Sequence, residues 1–257
     1  MIRLPPTAVT PALRNLFDPS DPQPQRCVAV LDDNAAGIIL TDDPVQPTWG
    51  AVWEAGDGTL YLGGAPDAEC VAQLIAQLRQ QGDVLVGMDF DDRRWALLPA
   101  QPDYTGSTLD FDDRALDPAQ MQEFQQLPPG HTICAVDRAR LERSRWYPGL
   151  IRQYGSAERV LEKAFGSQLL QGDEICCEVF AGPVALGMIE LSVETYEEYQ
   201  RRGYATLTCA HAIAHCEALG LRTHWNCARQ NEVSAALARK LGYRTEREYR
   251  LLAWFKT

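Results

Sequence analysis

The sequence predicts a two-part α/β (α+β) protein: a mixed sheet with flanking helices in the C-terminal half, preceded by a separate strand-rich α/β lobe. Three observations carry this. The chain has 257 residues, the length of one large domain or two modest ones. Short apolar runs bounded by turn residues alternate with stretches of helical periodicity. Charge is also split unevenly. Residues 1–130 hold 7 basic and 20 acidic residues, net −13; residues 131–257 hold 17 and 15, net +2; the whole chain is −11. The boundary is expected at LPPG (127–130), dividing the chain into 1–130 and 131–257.

In the first half, DPSDPQPQR (18–26) is a Pro/Asp-rich entry segment. The runs CVAVL (27–31), GIIL (37–40), WGAVW (49–53) and TLYLGG (59–64) read as strands. Asp67 is a candidate N-cap for a helix running to Gln81. There Val71, Leu74, Ile75 and Leu78 have the i, i+3, i+4, i+7 spacing of one buried face, and Gly82 is the stop. VLVGMDF (84–90) and RWALLP (94–99) read as further strands. Residues 99–130 read as irregular, with one short helical piece near 118–127.

Composition narrows the function. An acidic chain repels phosphate backbones, which argues against nucleic acid. No apolar run approaches the roughly 20 residues of a spanning helix, which argues against a membrane protein. The start MIRLPPTAVTPALRNLF has no apolar signal core, so a cytoplasmic protein is expected. Eight cysteines, none in a C-x-x-C pair, are expected to be reduced and mostly buried. The helix near 204–219 places His211 and His215 at i, i+4, a spacing compatible with a metal. There is no H-E-x-x-H and the cysteines lie off that face, so no metal is expected.

The second half opens with the strand candidate HTICAVD (131–137). A helical stretch follows, including SAERVLEKAFG (156–166), with Ser156 as N-cap and Gly166 as stop. EICCEVFA (174–181) and VALGMIELSVET (184–195) flank Gly182-Pro183 as a hairpin. Glu190 and Glu194 interrupt the second run, and alternation puts both on one face. Then comes Gln200-Arg201-Arg202-Gly203-Tyr204-Ala205, a Q-x-x-G-x-A loop at the mouth of a helix running to about Leu219. Glycine there lets successive N–H groups point into one concavity. With the helix dipole they suit an anion such as a pyrophosphate. Arg201 and Arg202 add charge, and Thr206 offers a hydroxyl.

Together with the strand THWNCA (223–228) and NEVSAALARKLGYR (231–244), this order resembles the GNAT N-acetyltransferase superfamily over roughly residues 131–257. The segments EEYQRRGYAT, HWNC and SAALARKLGY are most similar to its zwittermicin-resistance-type subgroup. The resemblance implies acetyl-CoA as cosubstrate and transfer of its acetyl group to an amine. It implies that Val193 and Thr195 offer backbone groups to the pantetheine arm. Gln200 to Ala205, with Thr206, would cradle the pyrophosphate, and Asn231 would lie beside the arm. Asn231 is also a good N-cap for the helix 232–241.

Departures from the family pattern matter as well. Ala238 stands where the family often has a tyrosine that protonates the departing thiolate. Glu190 and Glu194 are base candidates for the amine proton. The other reading of either is an ion pair with an arginine such as Arg250, or a solvated face. The acceptor is expected to be a small cationic amine. The alternative function is a non-catalytic CoA-binding protein whose acidic lobe is a protein-interaction surface. A further idea is that residues 1–130 are a degenerate copy of the same fold, although no Q-x-x-G-x-A turn occurs there.

Overall fold

The computed structural model describes residues 1–257, with the side chain of Glu246 left out of the description. The chain forms two compact units. One comprises Met1–Thr108, Arg152–Gly155 and Glu248–Thr257; the other comprises Leu109–Ile151 and Ser156–Arg247. The division expected at residue 130 therefore falls inside the second unit, and the first unit takes its last segment from the C-terminus.

The first unit opens with β1 (Ile2–Leu4), α1 (Pro11–Arg14) and α2 (Pro24–Leu31). The run 27–31, expected as a strand, is the second half of α2. Pro24 supplies the first helical φ, and Cys27, Val30 and Leu31 then share a buried face at helical spacing. Next come β2 (Gly37–Thr41), β3 (Trp49–Glu54) and β4 (Leu60–Gly64), where strands were expected. They form an antiparallel sheet in the order β1-β2-β3-β4.

Helix α3 (Ala68–Leu78) follows, capped by the Asp67 side chain, which accepts from Cys70 N–H. It buries Val71, Leu74, Ile75 and Leu78 against Trp53, Leu60 and Leu62. Strand β5 (Val84–Met88) is touched from β4's approach by a single parallel bridge, Thr59 to Leu85. The run 94–99, expected as a strand, lies in a 3-10 turn over Arg93–Leu97, because the Asp92 carboxylate accepts from Arg94 N–H and starts the coil.

Strand β6 (Tyr104–Asp112) has its last four residues in the second unit. Its Gly/Ser/Thr start hid it in a segment read as irregular. The second unit continues with α4 (Pro118–Phe124), β7 (His131–Ala135), α5 (Arg138–Arg143), α6 (Tyr147–Tyr154, whose last three residues belong to the first unit) and α7 (Ala157–Lys163). Ser156 caps α7 as expected. Gly166, expected as a helix stop, lies inside β8 (Phe165–Gln171), where a Cβ would press on the Phe180 ring. The unit closes with β9 (Glu174–Ala181), β10 (Met188–Thr195), α8 (Tyr204–Ala218), β11 (Arg222–Ala228), α9 (Glu232–Leu241) and the start of β12 (Arg244–Trp254). Its strands run β6-β11-β10-β9-β8-β7, so β10 is interior.

The two units repeat one order of elements. Each has a strand, then helices, then three antiparallel strands, a helix, and a strand parallel to the third. The closing strands are exchanged along the chain. In the first unit β5 pairs antiparallel with Arg250–Trp254 of β12, whereas residues 109–112 of β6 belong to the second unit.

Trp254 is buried in the first unit's core with Leu74, Val84 and Val86. Trp254→Ala should cost about 3–5 kcal/mol. The loss should appear in urea as an earlier transition of the first unit, followed by limited proteolysis within residues 1–108. A single unshifted transition would contradict the assignment of this strand.

Candidate active site

The site starts from one feature of β10. Its parallel ladder with β11 holds for three residue pairs only, Met188–Arg222, Ile189–Thr223 and Glu190–His224. Beyond Glu190, β10 keeps its antiparallel partner β9, with Leu191 to Thr195 opposite Ala181 to Cys177. Glu190 C=O accepts from Gly182 N–H, and Tyr196 N–H donates to Cys176 C=O. Even-numbered residues of β10 therefore turn their backbone groups toward β9. By alternation, Leu191, Val193 and Thr195 turn theirs to the side that β11 has left. One of these groups is already engaged, because Gln200 Nε2 donates to Thr195 C=O at 3.3 Å.

The chain after β10 makes a 3-10 turn over Glu197–Tyr199 and then the glycine loop. Arg201 has φ +59° and Gly203 φ +82°. Two left-handed residues so close together bend the backbone so that consecutive N–H groups converge. Among the described residues no side chain caps α8 at Gly203. A Cβ on Gly203 would meet no atom within 4 Å. Glycine is therefore required by backbone geometry and not by crowding within the protein. Gln200, Arg201 and Arg202 are exposed, Arg202 also donating to Glu198 C=O.

Ala205 is half-buried and Thr206 is buried in the first turn. Tyr204 is buried and its hydroxyl meets His131 Nε2 at 2.8 Å. His131 Nδ1 faces Pro129 C=O at 3.0 Å, so it carries the proton, and the tyrosine hydroxyl donates to Nε2. This contact pins the helix start to β7. Asn231 is exposed and caps α9, accepting from Ser234 N–H at 3.1 Å.

The sheet of this unit has two unlike faces. Ile189, Leu191, Val179, Trp225 and Phe111 pack with α8 in the core. The opposite face is polar. Register pairs put Gln168 beside Glu178, Glu178 beside Glu194, and Glu190 beside His224 on it. The glutamates expected to share a face do so. Glu190 is buried and accepts from Asn226 Nδ2 at 2.7 Å. Glu194 is half-exposed and accepts from Trp146 Nε1 at 2.6 Å, with Arg145 at 3.7 Å. The arginine near a glutamate is therefore Arg145. Arg250 instead stacks on Phe90 and Trp95 in the first unit.

Sequence reasoning passed over Glu178. It is fully buried, accepting from Tyr196 O–H and Gln168 Nε2, each at 3.1 Å. Burial pushes its carboxyl above the usual value of 4.5, and nearby Glu194 adds to the rise. The same burial and the adjacent Glu178 push the Tyr196 phenol up to about 12. Only register could have found Glu178, since it sits in the apolar run EICCEVFA.

Other candidates resolve into packing. Ala238 is fully buried among Cys209, Leu241 and Tyr243. Tyr243 is buried and donates to Thr223 Oγ1 at 2.6 Å. His211 Nε2 meets Gln125 C=O and His215 packs edge-on to Phe165. All eight cysteines are unpaired thiols, with Cys70 and Cys134 the only ones partly exposed.

A sheet opened between two parallel strands, followed by a glycine turn into a helix, is the framework of an acyltransferase. The chain belongs to the GNAT acetyltransferase family, whose profile matches residues 19–252. That match reaches far into the first unit, beyond the 131–257 expected from the motifs. The chain is 29% identical over 137 residues to the uncharacterized N-acetyltransferase YdfB of Bacillus subtilis, a match covering 51% of each protein. It thus spans about half the length of that relative.

Among solved structures, it resembles a GCN5-related N-acetyltransferase-like protein from Streptococcus suis, with TM-score 0.74 and 20% identity over 93% of this chain and 96% of that one. It also resembles a tandem GNAT protein from the clavulanic acid biosynthesis pathway, with TM-score 0.56 and 12% identity over 87% and 84%. At these identities the likeness is one of fold. Among the described residues no helix is long and apolar enough to cross a membrane.

Because the Glu178 carboxyl is raised in the folded state, its contribution to stability is full below pH 4.5 and is lost as pH rises through the raised value. Glu178→Gln should remove that part of the slope. Melting temperature measured against pH should then fall less steeply above pH 4.5 in the variant. Parallel curves would show that Glu178 titrates normally.

Proposed function

We propose that the protein transfers the acetyl group of acetyl-CoA to a primary amine of a small cationic molecule. The observation that carries this is the open edge of β10, which ends at the glycine turn into an uncapped helix. An extended pantetheine amide chain would pair with Val193 and Thr195 as an added strand. A pyrophosphate would sit at the N–H groups of Gly203, Tyr204, Ala205 and Thr206, with Gln200, Arg201 and Arg202 at the rim. The α8 N-terminus has no side-chain cap and Gly203 no Cβ, and both fit such an anion. Asn231, engaged as the α9 cap, would border the arm through its exposed side.

Acetyl-CoA supplies an activated thioester. The residues of this chain orient the acceptor and manage its protons. An amine of pKa near 10 arrives as an ammonium ion. Glu190 and Glu194, on the polar face beside the opened strands, would hold that charge and take up protons. The net charge of −11 favours encounter with a cation. The likeness to zwittermicin-resistance-type enzymes is consistent with an amine antibiotic, a polyamine or an aminoglycoside as acceptor.

Ala238 favours a second reading, a protein that binds CoA without acetylating. With no tyrosine there, the departing thiolate would need another proton source, and solvent suffices for a thiol of pKa about 8.5. In that reading the acidic lobe is a protein-interaction surface.

The first unit repeats the element order but not the cradle. The turn into α3 is Gly64-Ala65-Pro66-Asp67, and the Asp67 carboxylate already accepts at the helix start. A carboxylate there repels phosphate. We read this unit as a degenerate copy, and calorimetry should give one acetyl-CoA per chain; two would overturn that reading.

Acetyl-CoA at 100 times Kd should stabilise the protein by about 2.7 kcal/mol. Gly203→Val forces a β-branched residue to positive φ and crowds the phosphate position, so the thermal shift should vanish. An unchanged shift would remove the cradle assignment. Thiol release should be fastest with cationic amines, with KM rising with salt. Glu190→Gln should lower kcat without weakening acetyl-CoA binding. Preference for acidic acceptors would overturn the steering argument, and no turnover with any acceptor would favour the binding-only reading.

A further inference from the structure

The polar face carries a second group of side chains at the point where β10 and β11 separate. His224 is the last β11 residue paired to β10, and its register partner is Glu190. Its Nε2 lies 3.8 Å from Asp110 Oδ1 on β6. Both side chains are largely buried, His224 at 11% and Asp110 at 6% exposure. Two residues along β11, Asn226 Nδ2 donates to Glu190 Oε1 at 2.7 Å, reaching across the gap where the ladder has ended. Four polar side chains from three adjacent strands thus converge at the mouth of the opening. On the other face the same strands carry mainly apolar core, with Thr223 accepting from the Tyr243 hydroxyl. Burying a histidine and two carboxylates is costly, and a purely structural sheet of this kind would place apolar residues there.

We propose that His224, beside the buried carboxylate of Asp110, is the catalytic base of the acyl transfer and that Glu190, directed by Asn226, holds the acceptor as its ammonium ion. This rests on the reading given under Proposed function and narrows it: Glu190 keeps the role of holding the ammonium, and the proton goes to His224 instead of a glutamate. Imidazole is the stronger base by about two pH units over a carboxylate and is largely neutral at pH 7. From ammonium to amide the acceptor nitrogen loses two protons. One passes to His224, which frees the lone pair. That pair bonds to the acyl carbon while the carbon–sulfur bond breaks and its electrons leave on sulfur. The second proton leaves the nitrogen as the amide forms. One proton ends on the thiol sulfur and the other in solvent, so the imidazole is restored. Asp110 opposes the positive charge that His224 acquires in between. Asp110 from β6 and Glu190 from β10 are charged groups beside His224.

The test uses the full chain, with acetyl-CoA and the best amine from the acceptor screen. His224→Gln should keep the thermal shift given by acetyl-CoA and lower kcat about 100-fold. The KM for the amine should change little, because Glu190 is intact. The wild-type kcat should fall on the acid side as the imidazole protonates, and His224→Gln should lose that limb. Asp110→Asn should move the limb to lower pH, since removing the negative charge disfavours the imidazolium. If His224→Gln does not fold, the Asp110→Asn profile decides alone. Wild-type kcat in His224→Gln, or a limb unmoved in Asp110→Asn, would overturn the proposal. A wild-type protein that binds acetyl-CoA but turns over no amine would overturn the transferase reading and this proposal with it. Loss of the His224 effect in an otherwise active enzyme would overturn the proposal alone.

Discussion

Everything at the site depends on a parallel ladder that stops after three residue pairs. Parallel strands joined by a helix ordinarily pair along their length and bury both edges. Here β10 stays with β9 for its last five residues, while β11 is drawn toward α9, Trp225 Nε1 donating to Ser234 Oγ at 3.1 Å. The backbone groups of Leu191, Val193 and Thr195 are left facing the gap. An unpaired strand edge inside a sheet is normally a liability. It is tolerable where an amide-bearing ligand completes the hydrogen bonding, and the glycine turn beyond Tyr196 lies at the end of that edge.

The same separation explains the two faces of the sheet. On the α8 side, apolar side chains continue across the strands and fasten the helix that starts at the glycine turn. Tyr204 contributes twice, through core contact with Leu169 and Leu207 and through its hydroxyl on His131. On the opposite side, Gln168, Glu178, Glu190, Glu194, His224 and Asp110 form a polar band. Gln168 and Glu178 are fully buried there, and the raised Glu178 carboxyl accepts from the hydroxyl of Tyr196, the residue after β10. Strand geometry, glycine turn and polar band thus meet around one short stretch of chain.

The same order of elements recurs in a unit that lacks the glycine turn. In the first unit, β5 is touched at one parallel bridge and its sheet is completed by β12. The helix after β4 begins with an acidic cap, where the helix after β10 begins with glycine. The difference between Asp67 and Gly203 is one of charge and of backbone freedom. The family match over residues 19–252 takes in elements of both units.

The sequence by itself determined whatever depends on neighbours along the chain. The glycine loop, the α8 and α9 helices, the Asn231, Asp67 and Ser156 caps and the shared face of Glu190 and Glu194 were all legible, because capping, positive φ and alternation act within a few residues. Local patterning misread 27–31 and 94–99, where Pro24 and Asp92 started coils through apolar residues. It also missed β6 and β12, whose partners lie far away in sequence. Only tertiary structure decided where the parallel ladder ends, that Glu178 is buried against Tyr196, and that Asp110 meets His224 from 114 residues away. Those outcomes are set by register between strands. No residue carries its register in its own neighbourhood, because pairing energy is realised only when distant segments meet.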